Sequence, residues 1–366
     1  MKKVQVGIIG CGTISSIYME NIPKFDNLEL IACADLDINR ARAQAAKYQI
    51  PEASTVKELL ENPNVDLVIN LTIPQAHAEV AIEALKNGKH VYGEKPLAVT
   101  REKAENILAV AKETGLLVGS APDTFLGAGV QTAIDLIEKG EIGVPIGASA
   151  FMIGRGPEHW HPDPIFFYKE GGGPMFDMGP YYLTALIALL GPIKRLSGSV
   201  RISYPERTIL SEPKAGTKIT VETATHIAGT LEFASGAIGT ITTSFDAFGG
   251  TSLPSIEIYG SEGTMIVPNP NTFGGPVRLR KRGEEEFVDI ELTRKHDDNS
   301  RGIGVADMAR AILRGDSYRA NGELAYHVLE AMHGFHDSSE QGSFYHMQST
   351  CKRPEPLPAD DQFSHA

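Results

Sequence analysis

The chain has 366 residues, 42% of them apolar and 22% charged, with a formal net charge of −12. That length suits about two domains, each able to bury a core, and the acidic balance argues against nucleic-acid or anionic-membrane partners, which need basic patches. The three cysteines, Cys11, Cys33 and Cys351, follow no disulfide or zinc spacing; no apolar run is long enough to span a membrane and no signal peptide precedes the first strand, so a cytoplasmic location is expected.

Val4-Gln5-Val6-Gly7-Ile8-Ile9 is a short apolar run, as for a strand buried on both faces. It runs into Gly10-Cys11-Gly12-Thr13-Ile14-Ser15 and a helix through Glu20, and a second strand, residues 28–34, ends in Asp35. A dinucleotide needs these parts. Gly10 permits the tight turn, Gly12 lets the backbone approach a pyrophosphate, and the amides of Thr13 and Ile14 open the helix toward negative charge. Asp35 stands at about the expected 20-residue distance and can accept hydrogen bonds from the adenosine ribose. Ser15 replaces the third glycine of the pattern and is small enough for close helix–strand packing. The plainer alternative is a glycine turn that binds nothing. A carboxylate at position 35 repels a 2′-phosphate, and the nearest arginine is Arg40 in the next helix, so NAD is preferred over NADP.

Further helices are expected over 38–48 and 56–61, then an apolar strand over 65–71 that leads to Thr72-Ile73-Pro74. A helix over 75–87 stops at Gly88. A brief strand at 90–92 meets Gly93-Glu94-Lys95-Pro96. Thr100 caps a helix to Thr114, and residues 116–119 make the next strand. Alternating strands and helices imply a parallel sheet, with ligands beyond its carboxyl ends. Thr72, Pro74, Glu94 and Lys95 all follow strand ends.

After about Ala121 the pattern changes. A helix over 130–139 and a strand over 146–154 precede an irregular stretch holding His159-Trp160-His161-Pro162. Gly171-Gly172-Gly173-Pro174 leads into Asp177-Met178-Gly179-Pro180-Tyr181-Tyr182 and an apolar helix to Leu190. Strands over 195–204, 223–233, 237–245, 255–259, 263–267 and 277–280 follow with no helix between them, so the second sheet should be largely antiparallel. Two late helices are expected over 303–313 and 323–336. The expected division is 1–121 for a nucleotide-binding Rossmann domain, 122–351 for a substrate and oligomerisation domain of α+β type, and 352–366 for a loosely ordered polar tail. The fold class is therefore α/β joined to α+β.

The glycine turn, Asp35, the Glu94-Lys95-Pro96 block and the Asp177–Tyr181 helix start occur in the order found in the glucose–fructose oxidoreductase, inositol dehydrogenase and MocA family. Over nearly its whole length the chain resembles that family, most closely its bacterial sugar-dehydrogenase-like members. The resemblance implies a Rossmann domain followed by an open antiparallel sheet, pairing as homodimers or homotetramers, and hydride exchange between NAD and a secondary alcohol of a sugar or cyclitol. It places Lys95 between nicotinamide and substrate, with a following peptide bond that is often cis, and Glu94 at the nicotinamide ribose. The family's usual Asp-x-Gly-x-His reads Asp177-x-Gly179-x-Tyr181 here, which puts the usual acid–base assignment in doubt.

The chemistry supports Lys95 independently. Removing hydride from a carbinol leaves a cationic carbonyl unless the hydroxyl proton departs. A lysine takes that proton only if its pKa falls from ~10.4 toward neutrality, as burial and a nearby nicotinium charge would arrange. The alternative is a surface lysine paired with Glu94. Tyr181 could donate a hydrogen bond to the substrate oxygen or be a packed aromatic; Asp177 could orient Lys95, bind a hydroxyl or cap the helix. Tyr182 reads as core. Trp160 offers a face for a sugar ring, and His161, more than His159, a hydroxyl contact. His-x-His lacks a third ligand at useful spacing, so no metal is expected. His77 either approaches the cofactor or faces solvent. Beside a dehydrogenase, two alternatives stand: a redox-neutral lyase or glycosidase using NAD transiently, and a non-catalytic NAD-dependent sensor.

Overall fold

The computed structural model of the chain describes residues 2–358. The chain divides into two compact units, Met1–Leu126 with Asp298–Leu329 and Pro354–Ala366, and Gly127–Asp297 with Glu330–Arg353.

The first unit opens with β1 (Val4–Ile9), α1 (Ser15–Asn21), β2 (Leu28–Ala34), α2 (Ile38–Tyr48), β3 (Glu52–Ser54), α3 (Val56–Glu61), β4 (Leu67–Asn70), α4 (His77–Lys86), β5 (His90–Gly93), α5 (Arg101–Thr114) and β6 (Val118–Ser120). The strands form one sheet in the order β3-β2-β1-β4-β5-β6, with every pairing parallel. The central strands are buried on both faces: Val6, Ile8, Leu67, Val68 and Ile69 are fully covered, each such aliphatic contributing about 1.5–3 kcal/mol. Order reverses at β1, where β2 lies on one side and β4 on the other, and the carboxyl ends there form the crevice open sheets use for ligands. Helix ends follow local chemistry. Thr55 and Glu58 make a reciprocal capping box on α3, Thr100 caps α5, and Gly115 closes α5 in the left-handed conformation.

The second unit begins with α6 (Ala128–Glu138), β7 (Pro145–Ile153), α7 (Gly173–Asp177) and α8 (Gly179–Leu190). It continues with β8 (Ile193–Arg201), the hairpin β9 (Glu206–Thr208) and β10 (Lys218–Thr220), β11 (His226–Phe233), β12 (Ile238–Ser244), β13 (Ile256–Gly260), β14 (Gly263–Val267), β15 (Val277–Lys281) and β16 (Val288–Ile290). The chain then forms α9 (Ile303–Arg314), α10 (Gly322–Gln341) and β17 (Tyr345–His346). The second sheet has nine strands, ordered β16-β15-β14-β13-β7-β12-β11-β8-β17. It is antiparallel except where β12 lies parallel to β7. α8 is buried along its whole length, so it shows no polar face.

Several elements differ from expectation. The helix over 75–87 is a 3₁₀ turn, Pro74–Ala76, followed by α4: its first turn closes on the tighter i→i+3 bonds, Ala76 N to Ile73 O at 2.9 Å and His77 N to Pro74 O. The late chain does not stay with the second domain. Residues 298–329 return to the first unit, where Asp123 accepts hydrogen bonds from Gly302 N (2.8 Å) and Gly304 N (3.1 Å) at the start of α9. Ser120 N donates to Ala320 O at 3.1 Å. Residues 352–358 are tied down as well: Arg319, paired with buried Asp307 at 2.6 Å, donates to the carbonyls of Glu355 and Pro356 at 2.9 Å each. Residues 359–366 of the expected tail lie outside the described residues.

Candidate active site

Gly10 and Gly12 occupy the same turn for different reasons. Gly10 has φ +101°, and a methyl group there would sit 2.6 Å from Leu71 O, so the fold itself demands glycine. A methyl group on Gly12 would meet nothing within 4 Å. Thr13 and Ile14 follow in the turn, and α1 starts without a side-chain cap. Ser15, in place of the third glycine, is fully buried and donates its hydroxyl to Gly12 O at 2.7 Å. Asp35 stands one residue beyond β2 and accepts from Cys11 N (2.8 Å) and from Asp37 N (3.0 Å). One carboxylate thus braces the glycine turn and the next helix start. Arg40 lies in the next helix, α2, as expected, and reaches back to within 3.5 Å of Asp35 with 56% of its side chain exposed.

Beyond β4, buried Asn70 organises the loop carrying Thr72 and Pro74. Its Oδ1 accepts from Thr72 Oγ1 at 2.7 Å and its Nδ2 donates to His77 O at 3.0 Å. His77 is 2% exposed, and its ring nitrogens face Pro96 O at 2.7 Å and Thr72 O at 3.0 Å. The solvent-facing expectation for His77 is corrected: its ring is buried between two backbone carbonyls. Burial pushes its pKa down, against the two carbonyls and Glu94.

Beyond β5, Glu94 is held by Tyr18 of α1, whose hydroxyl donates at 2.8 Å, and by Lys95 N at 3.1 Å. Burial, then the charges of Glu94 and Asp123, push the Tyr18 hydroxyl well above its ordinary range. Lys95 is half-buried, and the Lys95–Pro96 peptide is cis. The first unit thus gathers Gly10, Gly12, Thr13, Ile14, Asp35, Thr72, Pro74, Glu94 and Lys95 beyond the carboxyl ends of β1, β2, β4 and β5.

In the second unit, Asp177 ends α7 and Met178 stands at the N-cap of α8 with no side-chain cap bond, so Asp177 is not the helix cap. The residue is half-buried. Tyr181 is 8% exposed in the first turn of α8, and Tyr182 is core, donating to Phe151 O at 3.3 Å. Gly173, at φ +85°, lies where a methyl group would come within 2.6 Å of Ala224 O, so the glycine run serves close packing.

Trp160 is 59% exposed, with its ring edge-on to His161 at 5.2 Å. His161 packs edge-on to Phe166 and Phe167 and accepts at Nδ1 from Asp163 N at 3.0 Å, which leaves Nε2 to carry the proton of a neutral ring. His159 turns its Nδ1 to Gly156 O at 2.6 Å. The loop is anchored by a buried charge cluster invisible in the sequence. Arg207 meets Glu158 at 2.7 Å and Phe245 O at 3.0 Å, and also bonds Asp246, while Tyr168 donates to the other Glu158 oxygen. Thr225 donates to Asp246 at 2.8 Å. These residues lie 49 and 39 positions apart, so no short motif links them. Tyr18, 76 positions from Glu94, and Arg207 were missed for that reason, whereas Asn70 bonds Thr72 and His77 nearby but reads along the chain as one more residue of an apolar strand. Among the described residues no group of three or more His, Cys, Asp or Glu could hold a metal ion.

Residues 4–121 match the family described as an oxidoreductase family with an NAD-binding Rossmann fold, and residues 130–266 match the GFO/IDH/MocA C-terminal domain. Among curated proteins the chain is similar to a myo-inositol 2-dehydrogenase of Thermotoga maritima, 27% identical over 267 residues, covering 73% of this chain and 75% of the relative. It is also similar to a 1,5-anhydro-D-fructose reductase of Ensifer adhaerens, 29% identical over 293 residues, covering 78% and 82%. Levoglucosan dehydrogenase, solved with NADH and L-sorbose, has the same fold, with TM-score 0.81, 20% identity and coverage of 95% and 100%. An NAD-binding oxidoreductase from Klebsiella pneumoniae gives TM-score 0.81 at 22% identity, covering 94% and 99%. With both of its halves matched in order, the chain belongs to the GFO/IDH/MocA family of oxidoreductases, whose N-terminal domain is an NAD-binding Rossmann fold.

Proposed function

We propose that this chain is an NAD-dependent dehydrogenase that exchanges a hydride between the nicotinamide and a secondary alcohol or ketone of a sugar or cyclitol. The observation that carries the reading is Gly12, whose missing side chain leaves open space that no protein packing requires. Beside it, an acid follows β2 and a lysine follows β5. Bound NAD⁺ would supply the hydride acceptor for the substrate carbinol. Lys95 takes the proton leaving the substrate hydroxyl, or returns it when a ketone is reduced. Tyr181 donates to the substrate oxygen, Asp177 accepts from a neighbouring hydroxyl, and Trp160 and His161 contact the sugar ring and its hydroxyls. Glu94, oriented by Tyr18, takes the nicotinamide ribose, and Asp35 the adenosine ribose. The inositol and anhydrofructose relatives support the substrate class.

NAD is preferred because a 2′-phosphate would lie against the Asp35 carboxylate. Arg40, mostly exposed, 3.5 Å from that carboxylate and screened by water, offsets only part of the repulsion. Assembly as a homodimer or homotetramer in the cytoplasm belongs to the same proposal. One face of the second sheet carries a hydroxyl array, Ser197 with Thr230 at 2.7 Å and Tyr259 with Ser149 at 2.9 Å, compatible with pairing.

The test is a panel of sugars and inositols with NAD⁺ and NADP⁺, read at the NADH absorbance, with Lys95→Ala beside the wild type. The variant should lose about 10²–10⁴-fold in kcat while NADH affinity stays within about threefold. Near-normal turnover of Lys95→Ala sinks the assignment, and turnover of a sugar without net NADH would favour the redox-neutral alternative.

A further inference from the structure

We infer that His77 is a positioning residue that ties the loop after β4 to the loop after β5, and so sets the relative placement of Thr72 and Lys95. The inference rests on the reading of those loops as the coenzyme and proton-transfer loops. Its physical basis is the place of the ring between two backbone acceptors, with Pro96 O at 2.7 Å from Nδ1 and Thr72 O at 3.0 Å from Nε2. A neutral imidazole donates to one of them and packs against the other, and an imidazolium donates to both. The ring is 2% exposed, so little water reaches it to loosen either contact.

Pro96 follows Lys95 directly, and Thr72 opens the segment leading to Pro74. Neither carbonyl belongs to a strand of the sheet. The ring therefore joins two segments that the β4–β5 pairing, which ends at Asn70 and Gly93, no longer holds together. Two bonds of Asn70 continue the brace: its Nδ2 donates to His77 O at 3.0 Å, and its Oδ1 accepts from the Thr72 hydroxyl at 2.7 Å. The ring nitrogens are thus committed to backbone, and His77 acts through its neighbours rather than on the coenzyme.

The experiment compares His77→Phe, which keeps a flat ring of similar size without a donor, with His77→Gln, which restores N–H donors. Fluorescence titration with NADH gives the affinity of the folded protein, and thermal melts give stability separately. His77→Phe should weaken NADH binding about tenfold, the loss of roughly one buried hydrogen bond, and His77→Gln should recover part of it. With any sugar the wild type oxidises, kcat at saturating NAD⁺ should fall in the same order, since Lys95 moves with Pro96. A residue with a purely structural role would lower the melting temperature and leave the NADH affinity unchanged in both variants; that pattern overturns the inference. If neither variant folds, the wild type labelled with ¹⁵N-histidine decides: NADH should shift the slowly exchanging His77 ring N–H, and an unmoved resonance at saturating NADH also overturns it. Absence of NADH binding to the wild type is a different result and defeats the dehydrogenase reading itself.

Discussion

Gly10→Ala and Gly12→Ala should separate the part of the glycine turn that the fold requires from the part that the ligand requires. At Gly10 the left-handed backbone, φ +101°, costs a side chain about 1–3 kcal/mol. The contact at 2.6 Å with Leu71 O adds overpacking of about 1–3 kcal/mol. The melting temperature should therefore fall on the order of 10 °C. At Gly12 the methyl group meets no protein atom within 4 Å, and the residue is not among those with positive φ. Reduced freedom of the unfolded chain then makes Gly12→Ala neutral or stabilising by about 0.4–1 kcal/mol. The same methyl group occupies the space assigned to the pyrophosphate. Pushing a phosphate away from one or two backbone amides loses about 1.5–3 kcal/mol for each charge-assisted bond, so the NADH dissociation constant should rise at least about tenfold. Calorimetric melts and NADH fluorescence titrations on both variants measure the two quantities. A Gly12→Ala protein that binds NADH within threefold of wild type, or that melts far below it, would refute the reasoning.

Replacing Asp35 with Ala should raise the dissociation constant for NADH about tenfold and narrow the preference for NADH over NADPH. The second effect should shrink again in the Asp35→Ala, Arg40→Ala double variant; paired titrations with both reduced coenzymes check it. Arg207→Met leaves Glu158 and Asp246 buried without their cation and should cost about 3–5 kcal/mol, read from the urea midpoint. Asp123 supplies a pH test. Burial, outweighing its bonds to Gly302 N and Gly304 N, pushes its carboxyl up to about 6 from the ordinary 3.8. The folded chain therefore holds this proton more tightly than the unfolded one. The contribution is complete below about pH 4 and is lost as pH rises through about 6, some 3 kcal/mol in all. Asp123→Asn, which can still accept from both amides, should close the gap to wild type or overtake it as pH rises from 4 to 7. A gap that does not change with pH counts against the assignment.

What could be read along the chain was what local chemistry decides. Strand periodicity placed β1 and β2, the glycines and Asp35 marked the turn between them, and Thr100 set a helix start, because each rests on residues a few positions apart. The change from βα alternation to consecutive strands was enough to separate a parallel from a mainly antiparallel sheet. Lys95, Asp177 and Tyr181 stood out for their chemistry and their order along the chain. Contacts spanning long stretches were not readable in this way. The return of α9 to the first unit is held by Asp123, some 180 residues earlier. The Arg207 cluster, the hydroxyl of Tyr18 on Glu94 and the turning of the His77 ring onto two carbonyls are decided only when distant segments pack. A buried polar group accepts whichever partner the packing brings to it, and that partner's place in the sequence carries no local signal.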